Sequence, residues 1–73
     1  MVNVTWNSGF RNRVRLLAGI EQQELDNESL DILMDISAEW YYEQMSTAFT
    51  LDSNDTDNNA VMYYSCYLAS IAQ

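Results

Sequence analysis

Four carboxylates recur at every fourth position in the middle of the sequence, and they are the first groups in it that could do chemistry. They are Asp31, Asp35, Glu39 and Glu43, called here the acidic stripe. On an α-helix this spacing brings all four side chains to one side. Two carboxyl groups with different pKa values could act as a general acid and a general base. Nothing in the sequence sets two of them apart, so we interpret the stripe as a solvated or partner-binding surface.

Cys66 is the single thiol of the chain and the only conceivable cysteine nucleophile. A thiol becomes a reactive thiolate beside a base or in positive surroundings. The sequence contains no histidine and no lysine, and residues 60–73 carry no charge. We therefore predict that Cys66 is a small packing residue.

Asp55, Asp57 and Asn59 have the spacing of the first three ligands of a calcium-binding EF-hand loop. The rest of that motif is missing, because Ala60 replaces the required glycine and Cys66 replaces the final glutamate. We interpret the run as a solvated loop that caps a helix. We expect no metal site, no cofactor and no catalytic residue, and hence a protein that is not an enzyme.

Charge is divided unevenly along the chain. The basic residues are Arg11, Arg13 and Arg15, all eleven acidic residues lie from Glu21 onward, and the net charge is -8. This balance has the wrong sign for a free-standing nucleic-acid binder or a protein that binds anionic membranes. Three partners remain open for the arginines: the acidic stripe of the same chain, that of an adjacent subunit, or nucleic acid.

Caps and periodicity predict an all-α fold, a small three-helix domain with an extended N-terminal arm. Apolar residues recur at helical spacing up to Ala18 and stop at Gly19, with Asn7 or Ser8 as the candidate N-cap. Asp26 can cap a second, longer pattern. We predict one domain over residues 1–73, with an arm at 1–6 and helices at about 8–18, 27–49 and 58–73, the last capped by Asp57 or Asn58.

Helical winding also predicts which faces are apolar. The second helix has a broad apolar face at Leu30, Leu33, Met34, Ser37, Tyr41, Met45 and Ala48, flanked by Ile32, Ile36 and Trp40. The third helix has a continuous apolar face at Ala60, Val61, Tyr64, Tyr67, Leu68, Ile71 and Ala72, with Met62, Tyr63, Cys66 and Ala69 on its other side.

The third helix is apolar on most of its surface, so it needs neighbours on more than one side. A chain of 73 residues with one cysteine has neither a disulfide nor a zinc site to stabilise it, so association with other copies is the remaining means. We predict an oligomer or partner interface at Met62, Tyr63, Cys66, Tyr67, Ile71 and Trp40. No segment has the length of a membrane span or the pattern of a leader peptide.

Three segments, RVRLLAGI, ELDNESLDILMDISAEWYYEQM and NNAVMYYSCYLASIA, carry a resemblance to a known family. In this order they resemble the small helical head-to-tail connector, or adaptor, proteins of tailed bacteriophages and related archaeal viruses. The shared features are a short arginine-containing helix that ends at glycine, a Leu-Asp start of a long second helix, and a third helix rich in alanine, leucine and aromatic residues. The resemblance covers about Arg11 to Ala72.

The resemblance implies a homo-oligomeric ring between the viral portal and the tail or stopper protein. Such a subunit would be made in the host cytoplasm and lie in the neck of the virion, with no membrane contact. DNA would pass through the ring without sequence-specific binding. Charged contacts between subunits would then join the three arginines of one copy to the acidic stripe of the next.

A different class of protein competes with this interpretation. A small acidic inhibitor that imitates DNA could present the acidic stripe and the loop carboxylates to a basic groove of a DNA-processing protein. The apolar third helix favours the connector, because a DNA mimic binds as a monomer or a simple dimer. A regulatory or toxin-neutralising helical module is a third possibility, for which the sequence gives no positive sign.

Overall fold

The computed structural model describes residues 4–51 and 55–71, and this part of the chain contains three α-helices and no β-strand. Helix α1 is Ser8–Ala18, α2 is Asn27–Met45 and α3 is Asp55–Ile71. The predicted all-α class is therefore confirmed. The predicted ends of two helices were wrong: α2 ends at Met45 and not near residue 49, and α3 begins at Asp55 and not near residue 58.

Both ends of α1 have the caps that its sequence indicates. The Asn7 side chain accepts a hydrogen bond of 2.8 Å from the backbone N–H of Phe10. Gly19 adopts the left-handed conformation with φ 70°, and its N–H donates to the last carbonyls of the helix. The next residue, Ile20, is buried, so the turn that ends α1 also directs the chain back into the core.

Asp26 caps α2 as predicted, since its carboxylate accepts a hydrogen bond of 2.8 Å from the backbone N–H of Ser29. This bond holds the pKa of Asp26 below its usual value. The helix ends where Ser46 adopts a left-handed conformation with φ 56° and donates its N–H to the Tyr42 carbonyl. Phe49 then enters the core from a loop, with its ring centroid 5.5 Å from that of Tyr41.

The sequence predicts an extended N-terminal arm, and the part of it that the structure describes packs against the core. Trp6 is only 7% exposed, and its ring lies 5.0 Å from Phe10 and 6.0 Å from Phe49, measured between centroids. Val4 packs against the same core, and neither residue lies in a strand. Residues 1–3 of the predicted arm lie outside the described residues. An aromatic cluster therefore anchors the segment before α1.

Helices α2 and α3 meet through small side chains. Ser37 and Ser65 are fully buried, and their hydroxyl oxygens form a hydrogen bond of 3.0 Å. Each hydroxyl also contacts a carbonyl of its own helix, Leu33 at 3.2 Å and Val61 at 2.7 Å. Buried hydroxyls are stable only when they have such partners. The contact thus satisfies its polar groups while keeping two helices close.

This contact decides which side of α3 is inside. Val61, Met62 and Ala69 are buried around Ser65, whereas Tyr67 and Ile71 are more than half exposed. The apolar face predicted for α3 is therefore split between core and surface. Periodicity alone did not resolve this, because α3 has apolar residues on nearly every side.

The serine contact can be tested by enlarging one of its partners. We expect Ser65→Leu to lower the free energy of unfolding by about 1–3 kcal/mol, because a larger side chain would force α2 and α3 apart. Ser70→Leu is the matched control, since the exposed Ser70 hydroxyl also bonds the carbonyl four residues before it. It should change stability by less than about 0.5 kcal/mol. Urea unfolding at low protein concentration measures both, and equal losses would contradict close packing at Ser65.

Candidate interaction surface

Arg11 forms an ion pair with the first carboxylate of the acidic stripe. Its Nε lies 2.7 Å from Asp31 Oδ1 and its Nη2 lies 2.8 Å from Asp31 Oδ2, so the pair is bidentate. The hydrogen bonds to Asp31 raise the pKa of the Arg11 guanidinium above its usual value. Three partners were considered for the arginines, and Arg11 binds the first of them, the acidic stripe of its own chain.

Arg15 is not available to a neighbouring subunit, contrary to its assignment as a charged contact. The residue is 8% exposed, and its Nη2 donates a hydrogen bond of 2.8 Å to the Leu25 carbonyl. This bond fixes the loop between α1 and α2. Arg13 is exposed and makes no ion pair with any described residue. Among the residues that the structure describes, Arg13 is thus the one basic side chain without a partner.

The acidic stripe is also partly used within the chain. Asp35 Oδ1 accepts a hydrogen bond of 2.7 Å from Trp6 Nε1, and Asp31 is paired with Arg11. Glu39 is half-buried, and Glu43 is exposed without an ion pair to the described residues. The stripe is thus not the row of unpaired charges that helical spacing alone indicates.

The run that imitates calcium ligands belongs to α3. Asp57 lies within the helix and accepts a hydrogen bond from the Tyr41 phenol. Burial raises the pKa of Tyr41, and the bond to Asp57 raises it further. Among the described residues, no group of three or more acidic, histidine or cysteine side chains could hold a metal ion.

Two residues predicted for the partner interface lie inside the chain. Met62 is 4% exposed, so it belongs to the core. Cys66 is half-buried, with its Sγ donating to the Val14 carbonyl of α1 at 3.6 Å. Burial raises the pKa of this thiol. Both residues face α1, which occupies the side of α3 that a partner was expected to cover.

Three other predicted interface residues, Trp40, Tyr67 and Ile71, lie on one apolar surface across α2 and α3. The Trp40 and Tyr64 ring centroids are 4.6 Å apart, which joins the two helices, and Tyr67 stacks on Tyr64 at 6.1 Å. Ile32 and Ile36 continue this surface along α2, and Ile71 continues it along α3. We call it the α2–α3 apolar face; its members are Ile32, Ile36, Trp40, Tyr64, Tyr67 and Ile71.

A second apolar surface lies between α1 and α3. It is a groove of about 310 Å³ lined by Arg13, Leu16, Leu17, Asn59, Met62 and Tyr63, called here the α1–α3 groove. Leu16 is 81% exposed and Tyr63 is 62% exposed. The sequence predicted Tyr63 at an interface but not the two leucines. At about 100° per residue, Leu16 lies roughly 120° around α1 from Phe10, so periodicity could have placed it outside the core. Leu17 lies close to Phe10 around the helix, so periodicity carried no such signal for it.

Comparison with known proteins adds no relative to this picture. No protein-family model matches the sequence, and no curated protein or solved structure matches it. No helix in the described part of the chain has the length and apolar character needed to cross a membrane. The two apolar surfaces and the charges beside them are therefore the basis for assigning a function.

The Arg11–Asp31 pair provides a test of how the charges are used. We expect Arg11→Ala and Asp31→Ala each to destabilise the chain, with a coupling free energy of about 0.5–1 kcal/mol in a double-mutant cycle. Arg13→Ala removes an equal charge from the same helix and should leave stability unchanged. Thermal unfolding measures all of these variants, and a coupling free energy of zero would contradict the pair.

The Cys66 thiol should react slowly in the folded chain. Its raised pKa leaves less thiolate near neutral pH, and thiolate is the form that attacks an alkylating reagent. We expect iodoacetamide to modify Cys66 more slowly in the native protein than in urea at the same pH, with native Cys66 gaining reactivity as the pH rises. Mass spectrometry follows the reaction. Faster modification of the native chain would indicate an activated thiol.

Proposed function

We propose that this chain is a non-catalytic structural subunit of a viral head-to-tail connector. In this role, identical copies form a ring between the portal and the tail or stopper protein, in the neck of the virion. The observation that carries the proposal is the α2–α3 apolar face, which stays exposed after the chain has folded. Ile32, Ile36, Tyr67 and Ile71 are between 47% and 63% exposed.

An exposed apolar surface of this kind is typical of a protein that works by association. Monomeric proteins seldom expose several large apolar side chains side by side. Burying such a surface against a partner stabilises the complex. The α1–α3 groove adds a second such surface on the other side of α3. A subunit with two separate contact surfaces can have a neighbour on each side, as a ring requires.

The resemblance to connector proteins supplies the particular kind of assembly. The three segments that carry it overlap the second half of α1, the start and body of α2, and most of α3. Gly19 and Asp26, which belong to the shared features, are both capping residues of this fold. A virion structural protein of this type needs no catalytic group, which agrees with the packing role of Cys66 and the intrachain bonds of the acidic stripe.

The DNA-mimic alternative receives no support from the charges. A mimic needs its carboxylates free to replace phosphates in a basic groove, but Asp31 and Asp35 already bond Arg11 and Trp6. The α2–α3 apolar face would also have no role in a purely electrostatic complex.

The proposal predicts that the isolated chain forms closed assemblies of more than two copies and binds a portal ring. Light scattering after gel filtration measures the first property, and co-sedimentation with a purified viral portal ring measures the second. Tyr67→Glu should weaken both by placing a charge in the α2–α3 apolar face, while the circular dichroism spectrum stays helical.

Tyr42→Glu is the matched control for this experiment. Tyr42 is an exposed tyrosine of α2 outside the α2–α3 apolar face, so its replacement should leave assembly intact. The proposed function would be contradicted if the chain stayed monomeric and also did not bind the portal protein. Equal effects of the two tyrosine variants would show that added charge, and not the apolar face, controls assembly.

A further inference from the structure

We propose that the α1–α3 groove of one copy receives the α2–α3 apolar face of a second copy. Successive subunits would then join through two unlike surfaces, in a head-to-tail manner. This inference rests on the proposed function and specifies the contact within it. The charges beside the two surfaces and their separate positions on α3 favour this pairing.

Judged by the described part of the chain, the α1–α3 groove holds the one basic side chain that is free to meet a partner. Arg13 lines the groove and is exposed, whereas Arg11 is paired with Asp31 and Arg15 is buried against the Leu25 carbonyl. The chain has three basic residues in all. The groove is therefore the surface of the described chain best suited to bind an acidic partner.

The α2–α3 apolar face has an acidic border that fits this requirement. Glu43 follows Trp40 by three residues and Ile36 by seven, so the three side chains lie along one side of α2. Glu43 is exposed, and it makes no ion pair with the described residues. A second copy thus offers an apolar surface and a carboxylate together, which match the apolar walls and the arginine of the groove.

Contact between like surfaces is less favourable. Two α2–α3 apolar faces in contact would bring Glu43 of both copies together with no basic side chain nearby, and two grooves would bring Arg13 toward Arg13. Like charges brought together at an interface oppose binding, whereas an Arg13–Glu43 pair favours it. The charges therefore select the pairing of groove with face.

The two surfaces also lie on different sides of α3, so both can be occupied at once. Tyr63 lines the groove toward α1, and the next residue, Tyr64, belongs to the face toward α2. Consecutive helical side chains point about 100° apart. A subunit can therefore hold one neighbour in its groove while its own face enters the groove of another, which builds a ring when the rotation closes.

A mixing experiment separates this pairing from its alternatives. Leu16→Glu blocks the groove, and Ile36→Glu blocks the α2–α3 apolar face. We expect each variant alone to be monomeric at concentrations where the wild-type chain assembles. An equimolar mixture should form a dimer, in which the intact face of Leu16→Glu enters the intact groove of Ile36→Glu. The dimer should grow no further, because the other groove and the other face are blocked. Native mass spectrometry identifies which variants the dimer contains.

Charge exchange tests the proposed ion pair. Arg13→Glu and Glu43→Arg should each weaken self-association by about fivefold, the upper end of the range for an exposed pair. The double variant should recover most of that loss. Glu21→Arg, which makes the same charge change in an exposed loop, is the control for net charge and should not reproduce the effect of Glu43→Arg.

Three results would overturn the pairing. They are self-association of either blocked variant alone, no dimer in the mixture, and a wild-type chain that stays monomeric at millimolar concentration. The first two leave the proposed function standing, since the wild-type chain still assembles through other surfaces. The third leaves it standing if the chain binds the portal protein, and portal binding is measured separately.

Discussion

The hydrogen-bonded contact between Ser37 and Ser65 sets the arrangement on which the rest of the molecule depends. Small residues at the centre of the α2–α3 interface let the two helices approach closely, with Ala38 and Ala69 also fully buried. Larger side chains such as Met34 and Met62 complete the core around this contact. The residues of the α2–α3 apolar face are outside that core, and Ile32, Ile36, Tyr67 and Ile71 are between 47% and 63% exposed.

Local signals in the sequence predicted most of the helical framework, because caps act over a few residues. Asn7, Gly19 and Asp26 each occupy the predicted position with the expected backbone geometry. The end of α2 could not be predicted in this way. Ser46 adopts a left-handed conformation that glycine or asparagine usually takes. The turn places Phe49 in the core among Trp6, Phe10 and Tyr41, and this burial offsets the unfavourable backbone conformation. The offset depends on residues far away in the sequence.

The same distinction explains which surface residues could be predicted. Tyr63, Tyr67 and Ile71 were placed at an interface and are exposed, whereas Met62 was placed there and is buried. On a helix that is apolar almost all round, a helical wheel does not show which side its neighbours cover. The ion pair of Arg11 with Asp31 and the bond of Trp6 to Asp35 span 20 and 29 residues of sequence. Helical spacing carries no information about such contacts.

The uneven use of arginine has a consequence for the physics of assembly. Each copy has a net charge of -8, so the proposed ring would accumulate negative charge with every subunit that joined. The chain extends over 34 × 19 × 18 Å, and physiological salt screens exposed charges beyond about 8 Å. In the proposed assembly, added salt would first relieve the long-range repulsion between whole subunits and then weaken the short-range contact at Arg13. Such an association would have an optimum ionic strength, with counterions as part of the assembled state.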